Sequence, residues 1–460
     1  VSGNFFSSGI YKDGIKTWEQ TKVFRMVTSI VTSATPSRVV LQQPSLPASR
    51  FNHDVQDKFA LHFAGSKRRK DEPPQIVATL GPASSPPDIL RQMIQAGATT
   101  LRFNFSHVNN ESQRQWVADT VQEIQKLSRE LGVPVSTFAD LQGPKIRTGD
   151  LPNGRMELVD GETVFLTDEP NPTPSDKKEK VIPVTMPAII SAIREGQVIK
   201  LDDGKLRLKA LESAVQSDGA RQVRCVVEKG GTLTNRKGLN LPYVRIDVPA
   251  LSAKDREDIR RAFSMGIQNI AVSFVQTVDD VKAAKDYIRT LIPEFGDLAR
   301  NAKVIAKIEK PDAVEPKTLR AIVQEADMVM VARGDLGVEA DILDLPKLEM
   351  RIIRECHIQK KPVIEATQLL ESMMDSDTPS RPDVNDIADA ARDGIQYLML
   401  SGETSMGKYP VEAVRTMRAI AERYTEERSI PASFERLWDA VEVFFLRSGY
   451  SLKRLFNSQH

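Results

Sequence analysis

The chain has 460 residues, 40% hydrophobic and 27% charged, and its 63 lysines and arginines nearly cancel its 62 acidic residues. That length allows two or three domains with a sizeable core, while the charge balance excludes the global basic field that draws nucleic acid or an anionic membrane surface. Cys225 and Cys356 are too few for a disulfide framework or a cysteine zinc site and fit a reducing compartment, and no apolar stretch reaches the roughly 20 residues that span a bilayer.

Residues 1–72 are Ser/Thr-rich, mildly basic and without sustained periodicity, and read as a disordered or targeting extension. The expected location is cytoplasmic. The alternative is a plastid or the mitochondrial matrix, with the extension as transit peptide, although Asp13, Glu19, Asp54 and Asp57 are acids that such peptides avoid. Lys67-Arg68-Arg69-Lys70, just ahead of Pro73-Pro74, reads as a solvated basic linker.

From Gln75 onward, short β-branched apolar runs alternate with helical patterns, the signature of repeated βα units and a parallel sheet. The runs are Ile76 to Leu80, Thr100 to Phe105, Val133 to Ala139, Ile267 to Phe274, Lys303 to Ile308, Met328 to Ala332, Pro362 to Ala366 and Ile395 to Leu400. Helical patterns cover Pro87 to Ala96, Glu111 to Leu131, Ala253 to Met265, Pro382 to Arg392 and Val411 to Glu426, with Gly97, Gly132, Gly266 and Gly394 as stops. Eight strands, each followed by a helix, close a TIM barrel, so the expected fold class is α/β, a (β/α)8 barrel over 73–143 and 243–427. About 100 residues separate the third run from the fourth. Within 144–242, alternating segments (Met156 to Val159, Thr163 to Thr167, Val198 to Leu201, Leu206 to Leu211, Val223 to Val227) lie between turn signals at Asn153-Gly154, Asp203-Gly204 and Asp218-Gly219. They predict a β-rich domain inserted after the third strand. An insertion there hangs over the catalytic face, so it reads as a lid.

The strand ends are polar at one rim. The second ends in Arg102, Asn104, Ser106 and His107, the third at Asp140, the fifth at Lys307 and Glu309, the sixth at Arg333 and Asp335, the seventh at Thr367 and the eighth at Ser401 and Glu403. Glu309 and Asp335 are hard oxygen ligands suited to Mg2+ or Mn2+; the bland alternative is a buried ion-pair cluster with Lys307 and Arg333. Arg102, Lys307 and Arg147 supply charge for a phosphoryl or carboxylate group, and Gly334 offers a backbone N–H to an anion. No Walker loop, dinucleotide glycine fingerprint or nucleophile elbow is present. His107 is the histidine nearest the rim and reads as a supporting hydrogen-bonding residue.

Taken together these residues resemble the pyruvate kinase family. The likeness runs through Ile76-Val77-Ala78-Thr79-Leu80-Gly81-Pro82, Leu101 to His107, Gly143-Pro144-Lys145-Ile146-Arg147-Thr148-Gly149 and Lys237 to Pro242. It continues through Ala306 to Glu309, Ala332 to Gly337, Ala366 to Met373 and Leu400 to Thr404, in order across about 75 to 427. The resemblance implies Mg2+-dependent phosphoryl transfer from phosphoenolpyruvate to ADP, giving pyruvate and ATP. It further implies Glu309 and Asp335 as Mg2+ ligands, Lys307 with Arg102 at the transferring phosphoryl group, and Thr367 with Ser401 where a proton reaches the enolate. Substrate would also meet Gly334 and Asp335, and the nucleotide would meet Arg147, Lys237 and His107.

Two departures bear on this. In potassium-dependent members a monovalent cation sits among residues matching Asn104, Ser106 and Asp140, beside a threonine and a glutamate; Leu141 and Lys145 stand at those last two positions. Leucine offers no oxygen and an ammonium supplies charge itself, so K+ is expected not to be required. Members usually continue into a C-terminal α/β domain, whereas 428–460 forms only a short tail, and a homo-oligomer is expected to use barrel contacts. Alternative readings are a truncated non-catalytic paralogue and a Mg2+-dependent keto-acid lyase on a related barrel.

Overall fold

The structure is a computed structural model. It describes residues 72–426 other than 171, 173–179, 213–214, 218–219, 246–247 and 250. The expected extension up to residue 71, the tail at 428–460 and the Asp218-Gly219 turn signal lie outside them.

Eight strands form the central sheet: β1 (Gln75–Thr79), β2 (Ala98–Asn104), β3 (Ser136–Asp140), β4 (Asn269–Val272), β5 (Val304–Ile308), β6 (Met328–Ala332), β7 (Val363–Ala366) and β8 (Tyr397–Leu400). They pair in parallel, and the order β1-β8-β7-β6-β5-β4-β3-β2 closes on itself. All residues of β5 and β6 are buried on both faces, which is why they read as unbroken apolar runs rather than alternating ones. Side chains still alternate. Val77, Phe138, Ala271, Ile305, Ile364 and Met399 fill the barrel interior, while Ile76, Phe103, Val304, Val329 and Val363 pack outward against the helices.

The outer ring consists of α1 (Pro87–Ala96), α2 (Glu111–Leu131), α3 (Ala253–Ser264), α4 (Val278–Thr290), α5 (Pro316–Glu325), α6 (Leu345–Gln359), α7 (Arg381–Asp393) and α8 (Pro410–Glu426). Asn110, Ser252 and Ser380 cap α2, α3 and α7 by accepting the N–H three residues on. Among the described residues no helix is long and apolar enough to cross a membrane.

Between β3 and α3 the chain builds a separate sheet in the order Leu239–Asn240, Val198–Leu201, Leu206–Ala210, Ala220–Lys229, Thr163–Thr167, Lys180–Pro183, with Val215–Ser217 added to Ala220–Lys229. Arg155–Leu158 pairs with Gly231–Thr234 in a two-stranded ribbon. The insert has its own core of Leu166, Ile182, Ile199, Leu208 and Val223. Asp203 (φ 55°) and Gly204 (φ 83°) make the expected turn. Lys180–Pro183 lies outside the segments expected as strands; its proline is tolerated here at the sheet edge.

Gly81, two residues past β1, shows how closely the barrel end is packed. A Cβ there would lie 2.6 Å from the Ser405 carbonyl oxygen and 2.8 Å from its Cβ. Gly81→Ala is expected to lower stability by about 1–3 kcal/mol, read as a reduced urea midpoint at unchanged slope; an unshifted midpoint would show that the Gly402–Ser405 turn yields.

Candidate active site

Strand parity decides which polar residues reach the mouth of the barrel. Phe138, Ala271, Ile305 and Met399 point inward, so Asp140, Ser273, Lys307 and Ser401, two residues on, continue the same inward rows. Leu101 and Phe103 point outward, which turns Arg102 inward. The result is a belt across neighbouring strands. The Thr79 hydroxyl donates to the Leu400 carbonyl (2.8 Å) and accepts from Arg102 Nη1 (3.1 Å), while Arg102 Nε donates to Asp140 Oδ2 (2.8 Å).

Lys307 closes the belt. Its Nζ lies 3.1 Å from Asp140 Oδ1, 2.7 Å from Glu309 Oε1 and 2.8 Å from Ser273 Oγ. Lys307 is only 8% exposed, and Asp140 and Glu309 are 1% exposed. Burial alone would discharge this ammonium; Asp140 and Glu309 outweigh it and raise the pKa above the ordinary lysine value. Burial likewise opposes the Asp140 charge, yet Lys307 and Arg102 hold its carboxyl below the usual range.

Glu309 is the strained member. Its Oε2 accepts the Phe274 N–H (2.5 Å) and its Oε1 takes Lys307, but burial still pushes it up to about 7. A carboxylate buried this deeply is stabilised by further positive charge. Asp335, with a side chain 33% exposed, offers the second carboxylate and lies 3.7 Å from Lys145 Nζ. Among the described residues no group of three or more His, Cys, Asp and Glu could hold a metal. Two hard oxygen donors, one of them short of positive charge, fit a cation such as Mg2+, which takes few protein carboxylates and completes its shell with water and substrate oxygens. Asn104 Oδ1 is occupied locally by the Ser106 N–H (3.1 Å), and the Leu141 carbonyl accepts from Ser273 Oγ (2.8 Å).

The Gly334 N–H, expected to meet an anion, donates to Thr367 Oγ1 (2.9 Å). Two expectations need correction. Arg333 does not join the rim: Val329 and Val331 point outward, so Arg333, two residues further, leaves the barrel and pairs with Glu365 (2.9 Å) and Asp386 (2.7 Å). The bland cluster of Glu309 and Asp335 with both Lys307 and Arg333 therefore does not form. The fourth apolar run also stops early, at Val272, because Phe274 adopts φ 56°, a conformation that ends a strand.

That early end exposes what sequence reading missed. Ser273 and Phe274 orient Lys307 and Glu309 from β4, and the polar Ser273 inside an apolar run was the available signal. Beyond β6, the helix Arg333–Glu339 carries Gly334 and Asp335 and is fastened to the insert at its far end. Lys200 donates to the carbonyls of Val338 (2.6 Å) and Ala340 (3.1 Å), and Glu339 accepts from Asn240 (2.7 Å) and pairs with Lys310 (3.3 Å).

Ser401 Oγ is buried without a hydrogen-bond partner among the described residues, while its N–H donates to Glu403 (2.7 Å). Arg147 Nη1 donates to the Arg236 carbonyl (3.1 Å), and Lys237 pairs with Asp202 (2.8 Å) inside the insert. His107 is exposed. Desolvation of the ring, then the charges of Arg102, Arg147 and Lys145, lower its pKa below the ordinary histidine value, which favours the neutral imidazole amid three cationic side chains.

Comparison with known proteins gives the same reading. The family described as pyruvate kinase, barrel domain, matches residues 72–414. The chain is 41% identical over 363 residues to pyruvate kinase 2 of Synechocystis sp., covering 78% of this chain and 58% of that protein. It is 41% identical to a pyruvate kinase of Agrobacterium vitis (77% of this chain, 69% of that one) and 40% identical to one of Mycobacterium tuberculosis (75% and 69%). The crystal structure of a pyruvate kinase from Cryptosporidium parvum superposes with a TM-score of 0.73 at 31% identity, covering 81% of this chain and 72% of that one. A closed eight-strand barrel, an insert after β3, a belt of paired charges at the mouth and these relatives converge, and the chain belongs to the pyruvate kinase family.

Proposed function

We propose that the chain transfers the phosphoryl group of phosphoenolpyruvate to ADP, giving ATP and, after protonation of the enolate, pyruvate. The observation that carries this reading is Lys307, a charged ammonium held almost out of water between Asp140, Glu309 and Ser273, with Arg102 sharing Asp140. Phosphoryl transfer asks little covalent chemistry of a protein; it asks for positioning and for positive charge where the transferring oxygens gather charge. Lys307 and Arg102 supply that charge from rigid strands. Their carboxylate partners keep both groups in place before substrate arrives, so little reorganisation is left for the reaction itself.

Glu309 and Asp335 would hold Mg2+, which when bound neutralises charge on substrate oxygens. Thr367 touches Gly334, next to Asp335 in the chain, and its hydroxyl, with that of Ser401, is the proposed source of the proton for the enolate. Arg147, His107 and Lys237 are proposed to face the nucleotide phosphates. The insert is proposed as the lid, and its grip on the helix bearing Asp335 through Lys200 and Asn240 supports that role. Closure excludes water, which would otherwise accept the phosphoryl group.

Lys145 bears on the monovalent cation. Its ammonium lies on the mouth beside Asp335 and supplies a positive charge there, which favours turnover without K+. ATP formation from phosphoenolpyruvate and ADP in a K+-free, Na+ or tetramethylammonium buffer is therefore expected to match that with K+; a rise of about tenfold or more on adding K+ overturns this.

The reading as a whole is tested by the same ATP-forming assay with Mg2+ present and removed. Activity is expected to require Mg2+, and Lys307→Met is expected to lose about 10²-fold or more in kcat while remaining folded. A folded wild-type chain forming no ATP would overturn the proposal.

A further inference from the structure

Thr367 occupies a costly conformation. Its φ is 73°, followed by Gln368 at 56°, and a β-branched residue in the left-handed region stays there only when its surroundings impose it. The Thr367 carbonyl is held by one side chain. Arg333 donates from Nε (3.1 Å) and Nη2 (2.6 Å) to the Thr367 carbonyl, a two-pronged grip that only a guanidinium provides. The remaining Nη1 is anchored by Glu365 Oε1 (2.9 Å) and Asp386 Oδ2 (2.7 Å).

The next residue along completes the arrangement. Gly334 donates its N–H to Thr367 Oγ1 (2.9 Å), and a Cβ on Gly334 would come within 3.3 Å of that same oxygen. One lone pair of the hydroxyl is thereby occupied. Its own proton must point elsewhere, away from the Arg333–Glu339 backbone. Two consecutive residues thus set both the backbone and the hydroxyl direction of Thr367, although the Arg333 side chain itself lies outside the barrel.

We propose that Arg333 is a positioning residue for proton delivery: by gripping the Thr367 carbonyl it holds the strained backbone that aims the Thr367 hydroxyl, with Glu365 and Asp386 anchoring the grip. This rests on the proposed role of Thr367 in the reaction.

The test is a double-mutant cycle of Arg333→Lys and Thr367→Ala in the full chain. Lysine keeps a positive charge for Glu365 and Asp386 but cannot donate twice in one plane. With Thr367 present, Arg333→Lys is expected to lower kcat about tenfold or more, with the KM for phosphoenolpyruvate held within about threefold, the pattern of a misaimed group rather than lost binding. With Thr367→Ala, the same change is expected to cost less than about threefold. Equal losses in both backgrounds, or a loss confined to KM, would overturn the proposal. Amide hydrogen exchange over residues 366–370 reads the grip without turnover: faster exchange in Arg333→Lys is expected, and unchanged exchange overturns it. Asp386→Asn, which removes the more exposed anchor, is expected to give a smaller loss of the same kind and serves if Arg333→Lys does not fold. A wild-type chain forming no ATP would sink the proposed function, while the exchange measurement would still decide the grip.

Discussion

Burying an ammonium costs several kcal/mol unless opposing charge and hydrogen-bond acceptors meet it, and the mouth of this barrel is organised around meeting that cost for Lys307. Asp140 from β3, Glu309 just past β5 and Ser273 just past β4 converge on one nitrogen. Arg102 from β2 and Thr79 from β1 extend the network to β8. No single element could supply these groups. Only a closed sheet brings the ends of six strands within hydrogen-bond reach of one another, so the barrel is a precondition of the charge arrangement rather than a passive support.

The same logic recurs one layer out. Arg333 is a second nearly buried cation, matched by Glu365 and Asp386, and burial pushes Glu365 up to about 8 despite that arginine. The two cations lie on opposite sides of the strand layer. Lys307 faces the mouth, where substrate oxygens would gather, whereas Arg333 faces the helices and acts on the loop after β7. A charged residue at a barrel strand end can therefore serve chemistry from either face.

Much of this was legible from residue order because parity is a local property. The run Val304-Ile305-Ala306-Lys307-Ile308-Glu309 carries its inward row in plain view once Ile305 is taken as interior. The same count, applied to Val329 and Val331, would have sent Arg333 outward, and the charge was instead read as part of the rim. Other features depend on distant partners and leave no local trace. Nothing near Gly334 announces that its N–H is taken by Thr367, 33 residues away. Phe274 looks like the end of a strand until its positive φ is seen, and Lys180–Pro183 is a strand because its neighbour pairs with it, against its own proline.

The charges at the mouth also balance. Among the paired groups, Lys307, Arg102 and Lys145 stand against Asp140, Glu309 and Asp335, with Arg147 further out beside His107. Under the proposed function, a phosphorylated carboxylic acid entering this cluster would bring negative charge that cations already matched by carboxylates only partly offset. Substrate and divalent cation would then be thermodynamically linked ligands, each raising the affinity for the other by the same factor. Such a balance of paired charges would favour anions that arrive with a metal over free phosphate.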